Sequence, residues 1–319
     1  MSATSMDTEL LKTFLAICRQ RSFSKAAAQL NRTQPAISRR IALLERQLGV
    51  PLFERGAAEL MLSQAGRVLE PFAERALATL RDAEDAVRDL RQPNAGPLSL
   101  AIVGTLAGRE LSALLKRFAT AHPKVEIALR TARSAEVSDL VRRGEATIGI
   151  RYDRDRSPDL ESTLLGTEPL LVVCGADHPL AGRRLRSFAA LGDQHWVAFP
   201  SPRDIAAEHV FSLFRAHGFG DVSFTPVDSL TAQKRLVEAG FGLALMPENN
   251  IAEELAAGTV QKIRIDNLGA GTPVFAVTRK GGYLSAAAQA LRELLTQDFG
   301  AALAKGGKPG QQSRKLARR

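Results

Sequence analysis

Apolar residues recur at helical spacing in a short segment near the start of the chain. The helix that this pattern predicts has its apolar positions at Ile37, Ile41, Leu44 and Leu48. Gly49 is a typical helix stop, and Pro35 fits the first turn, because an N–H there would have no partner. Ala26, Ala27 and Leu30 predict a shorter helix upstream, separated by the polar residues 31–34. The segment is therefore predicted to form a helix–turn–helix.

The opposite face of the second helix is polar and basic. It carries Gln34, Ser38, Arg39 and Arg40. Arg and Gln can make paired hydrogen bonds to base edges, and Ser can serve either a base or a phosphate. Residues 19–55 hold eight Lys or Arg against two Glu, a net charge of +6. A solvated basic face on an ordinary helical pair is the alternative, but geometry and charge together favour a helix that reads the major groove.

A long amphipathic helix is predicted over residues 64–91. Its apolar positions alternate at gaps of four and three residues and are Leu69, Ala73, Ala76, Leu80, Ala83, Val87 and Leu90. Such a heptad seam is typical of a helix that pairs with a second copy of itself. The alternative is a helix that packs on its own domain. The Pro- and Gly-containing residues 92–97 end the helix and suggest a hinge.

Beyond the hinge, short apolar runs alternate with helical patterns. We expect strands at residues 98–104, 125–131, 146–152 and 169–175, with later strands in WVAFP, VSFTPVD, FGLALMP and VFAVTRK. Helices are expected at residues 105–119, 135–143, 203–217 and 229–239. Strands that alternate with helices favour parallel sheets in an α/β architecture.

The segments SFSKAAAQL, TQPAISRRI, LLERQLGVPLFER and LSQAG occur in this order over about sixty residues. They resemble the N-terminal domain of LysR-type transcriptional regulators. The resemblance implies an all-α winged helix–turn–helix at residues 1–65, a dimerising linker helix at 66–91 and an effector-binding domain at 92–302. The last would be an α/β domain with two lobes, similar to type 2 periplasmic binding proteins. PLLVVCGADHPLAG and LVEAGFGLALMP resemble its segments.

The resemblance also implies that Gln34, Ser38 and Arg39 face DNA. The other candidates for DNA contact are Ser24, Thr33, Pro35, Arg40 and Arg55. The wing departs from the family pattern: it reads Gly-Ala-Ala-Glu-Leu at 56–60, where relatives often carry basic residues that can enter the minor groove. Arg55 and Arg67 are the nearest basic substitutes.

Turns at the ends of predicted strands offer a candidate effector site. Ligands of open α/β sheets lie beyond the carboxyl ends of the strands, where helix N-termini attract negative charge. Thr105, Ser134 and Ser201 provide hydroxyls at three such turns, and Arg203 or Arg151 could add a positive charge. Together these residues suggest a small organic anion as effector. Each of them taken alone could equally be an ordinary helix cap or turn residue.

The bulk composition is that of a globular protein. With 45% apolar and 24% charged residues and a net charge of +9, the chain suits a polyanionic partner. Residues 303–319 carry six Lys or Arg and no acid, and are predicted to be a disordered basic tail that adds DNA attraction or is simply solvated. We expect no signal peptide and no membrane span, hence a cytoplasmic protein.

No catalytic or metal-binding pattern stands out. Nucleophile-elbow, P-loop and zinc-ligand spacings are absent, so no enzyme activity, metal or cofactor is expected. The two cysteines, Cys18 and Cys174, are expected to be core thiols, with a redox role for Cys174 as the alternative. The sequence predicts a homodimeric or homotetrameric regulator of promoter DNA that responds to a small effector. A solute-binding protein and an enzyme on the same two-lobed fold are its rivals.

Overall fold

A computed structural model describes residues 6–55, 60–92, 94–199, 212–219, 222–266, 268 and 271–305. The chain divides into two compact units, residues 1–87 with 142–144, and residues 88–141 with 145–319. Within the described ranges, no helix is both long and apolar enough to cross a membrane.

The first unit is a winged helix–turn–helix. Its elements are α1 (Thr8–Gln20), α2 (Phe23–Gln29), α3 (Gln34–Leu48), β1 (Phe53–Arg55), β2 (Leu60–Leu62) and α4 (Gln64–Arg91), whose last four residues are counted with the second unit. Local chemistry sets the helix ends. Asp7 and Ser22 cap α1 and α2 by accepting hydrogen bonds from free backbone N–H groups. Gly49 ends α3 at φ 73°, a left-handed conformation that glycine adopts without a Cβ clash.

The apolar face predicted for α3 forms the core of this unit. Ile37, Ile41 and Leu44 are at most 3% exposed and pack with Phe14 and Ile17 of α1. This packing leaves the opposite face of α3 outward. The helix–turn–helix predicted from the sequence is therefore present.

Helix α4 begins and ends at the predicted residues. A Cβ on Gly66 would lie 2.2 Å from the carbonyl oxygen of Leu52, so glycine is required where the helix passes the wing. The predicted seam is divided in the structure: Ala73 is buried and Leu69 packs against the core of its own unit. The exposed apolar stripe has Val68 and Phe72 in place of those two residues and then continues along the predicted positions Ala76, Leu80, Ala83, Val87 and Leu90.

The second unit begins with parallel strands. Strand β3 (Gly96–Val103) lies between β4 (Val125–Ala132) and β5 (Ile148–Tyr152), with both neighbours parallel to it. A short 3₁₀ turn (Gly104–Leu106), α5 (Arg109–Ala121) and α6 (Ser134–Arg142) connect these strands. This lobe follows the predicted strand–helix alternation.

The 16-residue strand β6 (Leu160–Gly175) leaves this lobe and enters the second one. The remaining strands are β7 (Arg184–Leu185), β8 (Trp196–Ala198), β9 (Phe224–Pro226), β10 (Ala244–Pro247), β11 (Val260–Ile265) and β12 (Gly271–Arg279). The later helices are α7 (Leu230–Glu238), α8 (Glu248–Ala257), α9 (Ala286–Leu294) and α10 (Gly300–Lys305), with a π-helical turn at Leu295–Phe299. A short 3₁₀ turn also spans Phe188–Leu191.

The expectation of parallel sheets is wrong for the strands that pair with β6, whereas β7 pairs parallel with β11 and β8 with β9. Strands β10, β11 and β12 all pair antiparallel with β6, and β12 also pairs antiparallel with β5. The chain enters the second lobe along β6 and returns along β12, and two neighbouring strands that cross in opposite directions must be antiparallel. Most of the helix predicted at 203–217 lies outside the described residues, as does the tail from residue 306 onward.

Candidate functional site

The outward face of α3 presents polar groups. Gln34, Pro35 and Arg39 are exposed, and Ser38 is half-buried between them. The Gln34 amide donates to Ser38 Oγ at 3.1 Å, which holds the two side chains on one face. Thr33 precedes the helix, and its hydroxyl makes no capping hydrogen bond. These groups have the chemistry that reads base edges and phosphates.

Other candidates for DNA contact are placed differently. Arg40 is half-buried and donates to Glu9 Oε2 at 3.4 Å and Thr13 Oγ1 at 3.3 Å, which ties α3 to α1. Ser24 is exposed on α2. Arg67 donates to the carbonyl oxygen of Leu62 at 2.6 Å, next to the wing. The side chain of Arg55 lies outside the described part of the chain, as do wing residues 56–59.

A cavity of about 350 Å³ opens in the second unit at the carboxyl ends of several strands. Gly104 and Thr105 follow β3, Arg133 follows β4, and Tyr152 ends β5. The second lobe adds an aromatic wall. It consists of Trp196, Phe199 and Phe214. The cavity therefore combines polar turns from one lobe with aromatic rings from the other.

A hydrogen-bonded chain leads from the cavity wall to a buried carboxyl group. Thr105 Oγ1 lies 2.8 Å from Tyr152 Oη, and Tyr152 donates to Glu168 Oε2 at 2.7 Å. Glu168 on β6 is 2% exposed. Its burial raises the pKa of the carboxyl group to about 7, against the lowering effect of the hydrogen bond from Tyr152, and the charge of Glu110 raises that pKa further. Sequence reasoning missed Glu168, because a single Glu before an apolar run resembles a strand end.

The other predicted effector contacts are only partly brought together. Ser134 is 1% exposed, and its hydroxyl has no hydrogen-bond partner among the described residues. Arg151 is 2% exposed and donates to Asp155 at 2.5 Å and to Ser138 at 2.6 Å. It therefore connects β5 with α6 and with the loop that follows β5. Ser201 and Arg203 lie outside the described residues.

Sequence reasoning also missed three charged side chains of the cavity lining. They are Arg133, Glu136 and Asp228. Arg133 directly precedes α6, so a positive group and a helix N-terminus are neighbours there. Arg133 follows a predicted strand, Glu136 lies in the first turn of a predicted helix, and Asp228 directly precedes another; these positions at strand and helix ends were the available signal.

Both cysteines are shielded. Cys174 is fully buried, its Sγ lies 3.7 Å from the carbonyl oxygen of Gln261, and burial raises its pKa to about 11. Burial raises the pKa of Cys18 as well. A thiol must be deprotonated to react as a nucleophile, so these environments favour core packing over redox chemistry.

The family of the chain is shown by two domain models. The model for the bacterial regulatory helix–turn–helix protein of the lysR family matches residues 8–67, and the model for the LysR substrate binding domain matches residues 91–300. The chain therefore belongs to the LysR-type family of transcriptional regulators. It is a DNA-binding regulator with an effector-binding domain, not an enzyme.

Relatives match over nearly the whole length. The SDS degradation transcriptional activation protein of a Pseudomonas species is 32% identical and aligns with 92% of this chain and 96% of its own. The regulator CbbR of Rhodospirillum rubrum is 29% identical, over 88% of this chain and 93% of its own. The crystal structure of CbnR, a LysR family transcriptional regulator, has a TM-score of 0.62 and 25% identity, over 92% of this chain and 99% of that one.

The buried carboxyl group predicts a distinct pH dependence of stability. The folded pKa of Glu168 is raised above the ordinary value of 4.5 to about 7, so its stabilising contribution is complete below the unfolded pKa and is lost as pH rises through the folded pKa. Glu168→Gln, which stays neutral, should raise the free energy of unfolding at about pH 8 by up to about 3 kcal/mol and have little effect at about pH 4.

Urea unfolding of the full chain at both pH values measures this difference. Glu161→Gln, an exposed change on the same strand, is the control and should follow the unsubstituted protein. If the free energies of unfolding of Glu168→Gln and the unsubstituted protein differ by the same amount at both pH values, the raised pKa of Glu168 is contradicted.

Proposed function

We propose that the chain binds promoter DNA through the outward face of α3 and regulates transcription in response to a small organic anion. The observation that carries the DNA-binding part is the outward set of exposed Gln34, half-buried Ser38 and exposed Arg39 on a helix whose other face is buried. Paired donors and acceptors on such a helix suit major-groove base edges. A cytoplasmic location follows from this partner, because promoter DNA lies there.

Self-association through α4 is the second part of the proposal. The exposed stripe defined above continues for six helical turns, from Val68 to Leu90, and Leu90 is 84% exposed. Apolar side chains in such a row gain free energy when they are removed from water. The alanines at 76 and 83 permit close approach of a second helix. A dimer would then present two recognition helices to two half-sites, as a homodimer or as a pair of dimers.

The third part concerns the effector. Thr105 and Arg133 offer hydrogen-bond donors to the cavity, and the indole N–H of Trp196 has no partner among the described residues. The N-terminus of α6, directly after Arg133, adds a favourable field for negative charge. Glu136 and Asp228 add acceptors to the same lining. Arg133 and the helix N-terminus favour an anionic group on the ligand, and the two carboxylates favour a hydrogen-bond donor elsewhere on it. The aromatic wall favours an apolar body, so the set fits a small organic anion with these features.

For base readout, Gln34→Ala and Arg39→Ala should each relax sequence preference and cost roughly 1–3 kcal/mol in operator binding, because each removes a two-bond contact. The operator is first obtained by sequencing the DNA that the purified protein selects, and binding is then measured by titration. Arg46→Ala is the matched control, since Arg46 is exposed at the far end of the same helix and bonds to the carbonyl oxygen of Ala42. Base preferences that stay unchanged in both variants would refute the assignment.

For assembly, Leu80→Asp places a charge in the exposed stripe of α4, where pairing would remove it from water. We expect a smaller particle in light scattering and weaker operator binding, since two half-sites need two recognition helices. Leu80→Met keeps an apolar side chain of similar volume and should retain the original mass. A Leu80→Asp variant that keeps both its mass and its affinity would show that α4 does not pair in this way.

For the effector, Thr105→Val removes one hydroxyl from the cavity at nearly constant volume. Hydrogen bonds to charged groups contribute roughly 1.5–3 kcal/mol, so affinity for an anionic effector should fall by about that amount while operator binding without effector persists. Calorimetry of the full chain against a panel of organic acids measures the loss. Thr120→Val, on the exposed face of α5, is the control. Ligands that are all cationic or wholly apolar would refute the anionic assignment.

A further inference from the structure

The hydrogen-bonded series from Thr105 through Tyr152 to Glu168 ends at the cavity, and its hydrogen bonds join side chains instead of pairing strand or helix backbones. Tyr152 is 3% exposed and Glu168 is 2% exposed, and Tyr152 lines the cavity. Thr272, which pairs with Glu168 across β12, also lines that cavity. The hydrogen-bonded side chains of Thr105, Tyr152 and Glu168 therefore lie at and directly behind the cavity surface that a ligand would touch.

We propose that Glu168 is a positioning residue for the effector: through Tyr152 it decides whether Thr105 accepts or donates a hydrogen bond in the cavity. An anionic effector then enters together with one proton, which Glu168 takes up. The inference rests on the proposed effector cavity and deepens it, because it adds a protonation partner to the anion.

The donor and acceptor roles of the three groups are consistent with two states, one with Glu168 ionised and one with Glu168 protonated. When Glu168 is ionised it only accepts, so Tyr152 donates to Glu168 and Thr105 donates to Tyr152. The lone pairs of Thr105 then face the cavity. When Glu168 is protonated, it gains an O–H that can donate to Tyr152; Tyr152 then donates to Thr105, and the Thr105 hydroxyl proton is released toward the cavity. No heavy atom has to move between the two states.

The charges around Glu168 favour the coupling. Tyr152 on β5 and Glu110 on α5 act on its carboxyl group, and Glu110 is negative. The cavity lining adds Arg133, Glu136 and Asp228, of which two are acidic. Thr272 on the neighbouring strand β12 is uncharged.

An anion that approaches this cavity adds a further negative charge near Glu168. Proton uptake from solvent converts the carboxylate to a neutral carboxylic acid, so the total charge of the site stays constant. The pKa of Glu168, raised to about 7 by burial, places this uptake close to neutral pH.

The test uses two probes of equal size, phenylacetate and its uncharged amide, phenylacetamide. A phenyl ring suits the aromatic wall and the cavity of about 350 Å³. Titration calorimetry of the full chain is run in phosphate and in Tris, which differ in ionisation enthalpy, so proton uptake appears as a difference in heat. We expect phenylacetate affinity to fall about tenfold per pH unit above the pKa of Glu168, with uptake of about one proton at about pH 8. Phenylacetamide should show no such fall.

Variants separate the proposed coupling from a merely structural role. Glu168→Gln should bind phenylacetate with no pH dependence in this range and with equal heats in both buffers. Tyr152→Phe keeps the carboxyl group of Glu168 but interrupts the hydrogen-bonded series between Thr105 and Glu168. The ratio of phenylacetate affinity to phenylacetamide affinity should therefore vary much less with pH than in the unsubstituted protein. Glu161→Gln, exposed on the same strand, should keep the full pH dependence.

Each possible outcome of these binding experiments either supports or overturns the proposed role of Glu168. Equal pH profiles for Glu168→Gln and the unsubstituted protein would overturn the proposal. So would failure of both probes to bind at about pH 6, where Glu168 is protonated. Operator binding by the same preparation is measured in parallel. Its loss with proton-coupled phenylacetate binding intact would count against the proposed regulatory function alone, and the reverse result against the coupling alone.

Discussion

The second unit of this protein depends on one continuous strand. Strand β6 pairs with β12 along its first part, from Leu160 to Pro169, and with β10 and β11 along its second part, from Leu170 onward. Its backbone hydrogen bonds therefore belong to both lobes. Since register is shared along a continuous strand, the strand fixes where the turns of one lobe lie opposite the aromatic wall of the other.

The position of the cavity follows from that crossing. Glu168 precedes the residue at which β6 exchanges one partner strand for another, and Leu170 just beyond it lines the cavity. A carboxyl group at this point loses its hydration, and such a loss is tolerated only when the group is hydrogen-bonded or neutral. Glu168 can be both, because it accepts from Tyr152 and its pKa is raised to about 7 by burial. The polar groups of the cavity are thus supported from behind by an ionisable residue.

Sequence reasoning succeeded where local patterns decide structure. Helices α3 and α4 were predicted well because apolar periodicity, Pro35 and Gly49 act within a few residues. It failed where distant segments meet: nothing local reveals that β12 returns beside β5 and β6, so the antiparallel pairs were missed. The effector contact expected for Arg151 stays a prediction; in the structure its guanidinium is paired with Asp155, four residues later.

The surroundings of Trp196 have a practical consequence for this molecule. Trp196 is the single tryptophan of the chain. It packs against Phe188, Phe214 and Phe219 and lines the cavity. Indole emission depends on the polarity and hydrogen bonding around the ring, and every photon of tryptophan fluorescence from this protein originates at the cavity wall. The chain thus contains an intrinsic optical reporter of cavity occupancy, with no background from other indoles and no need for an attached dye.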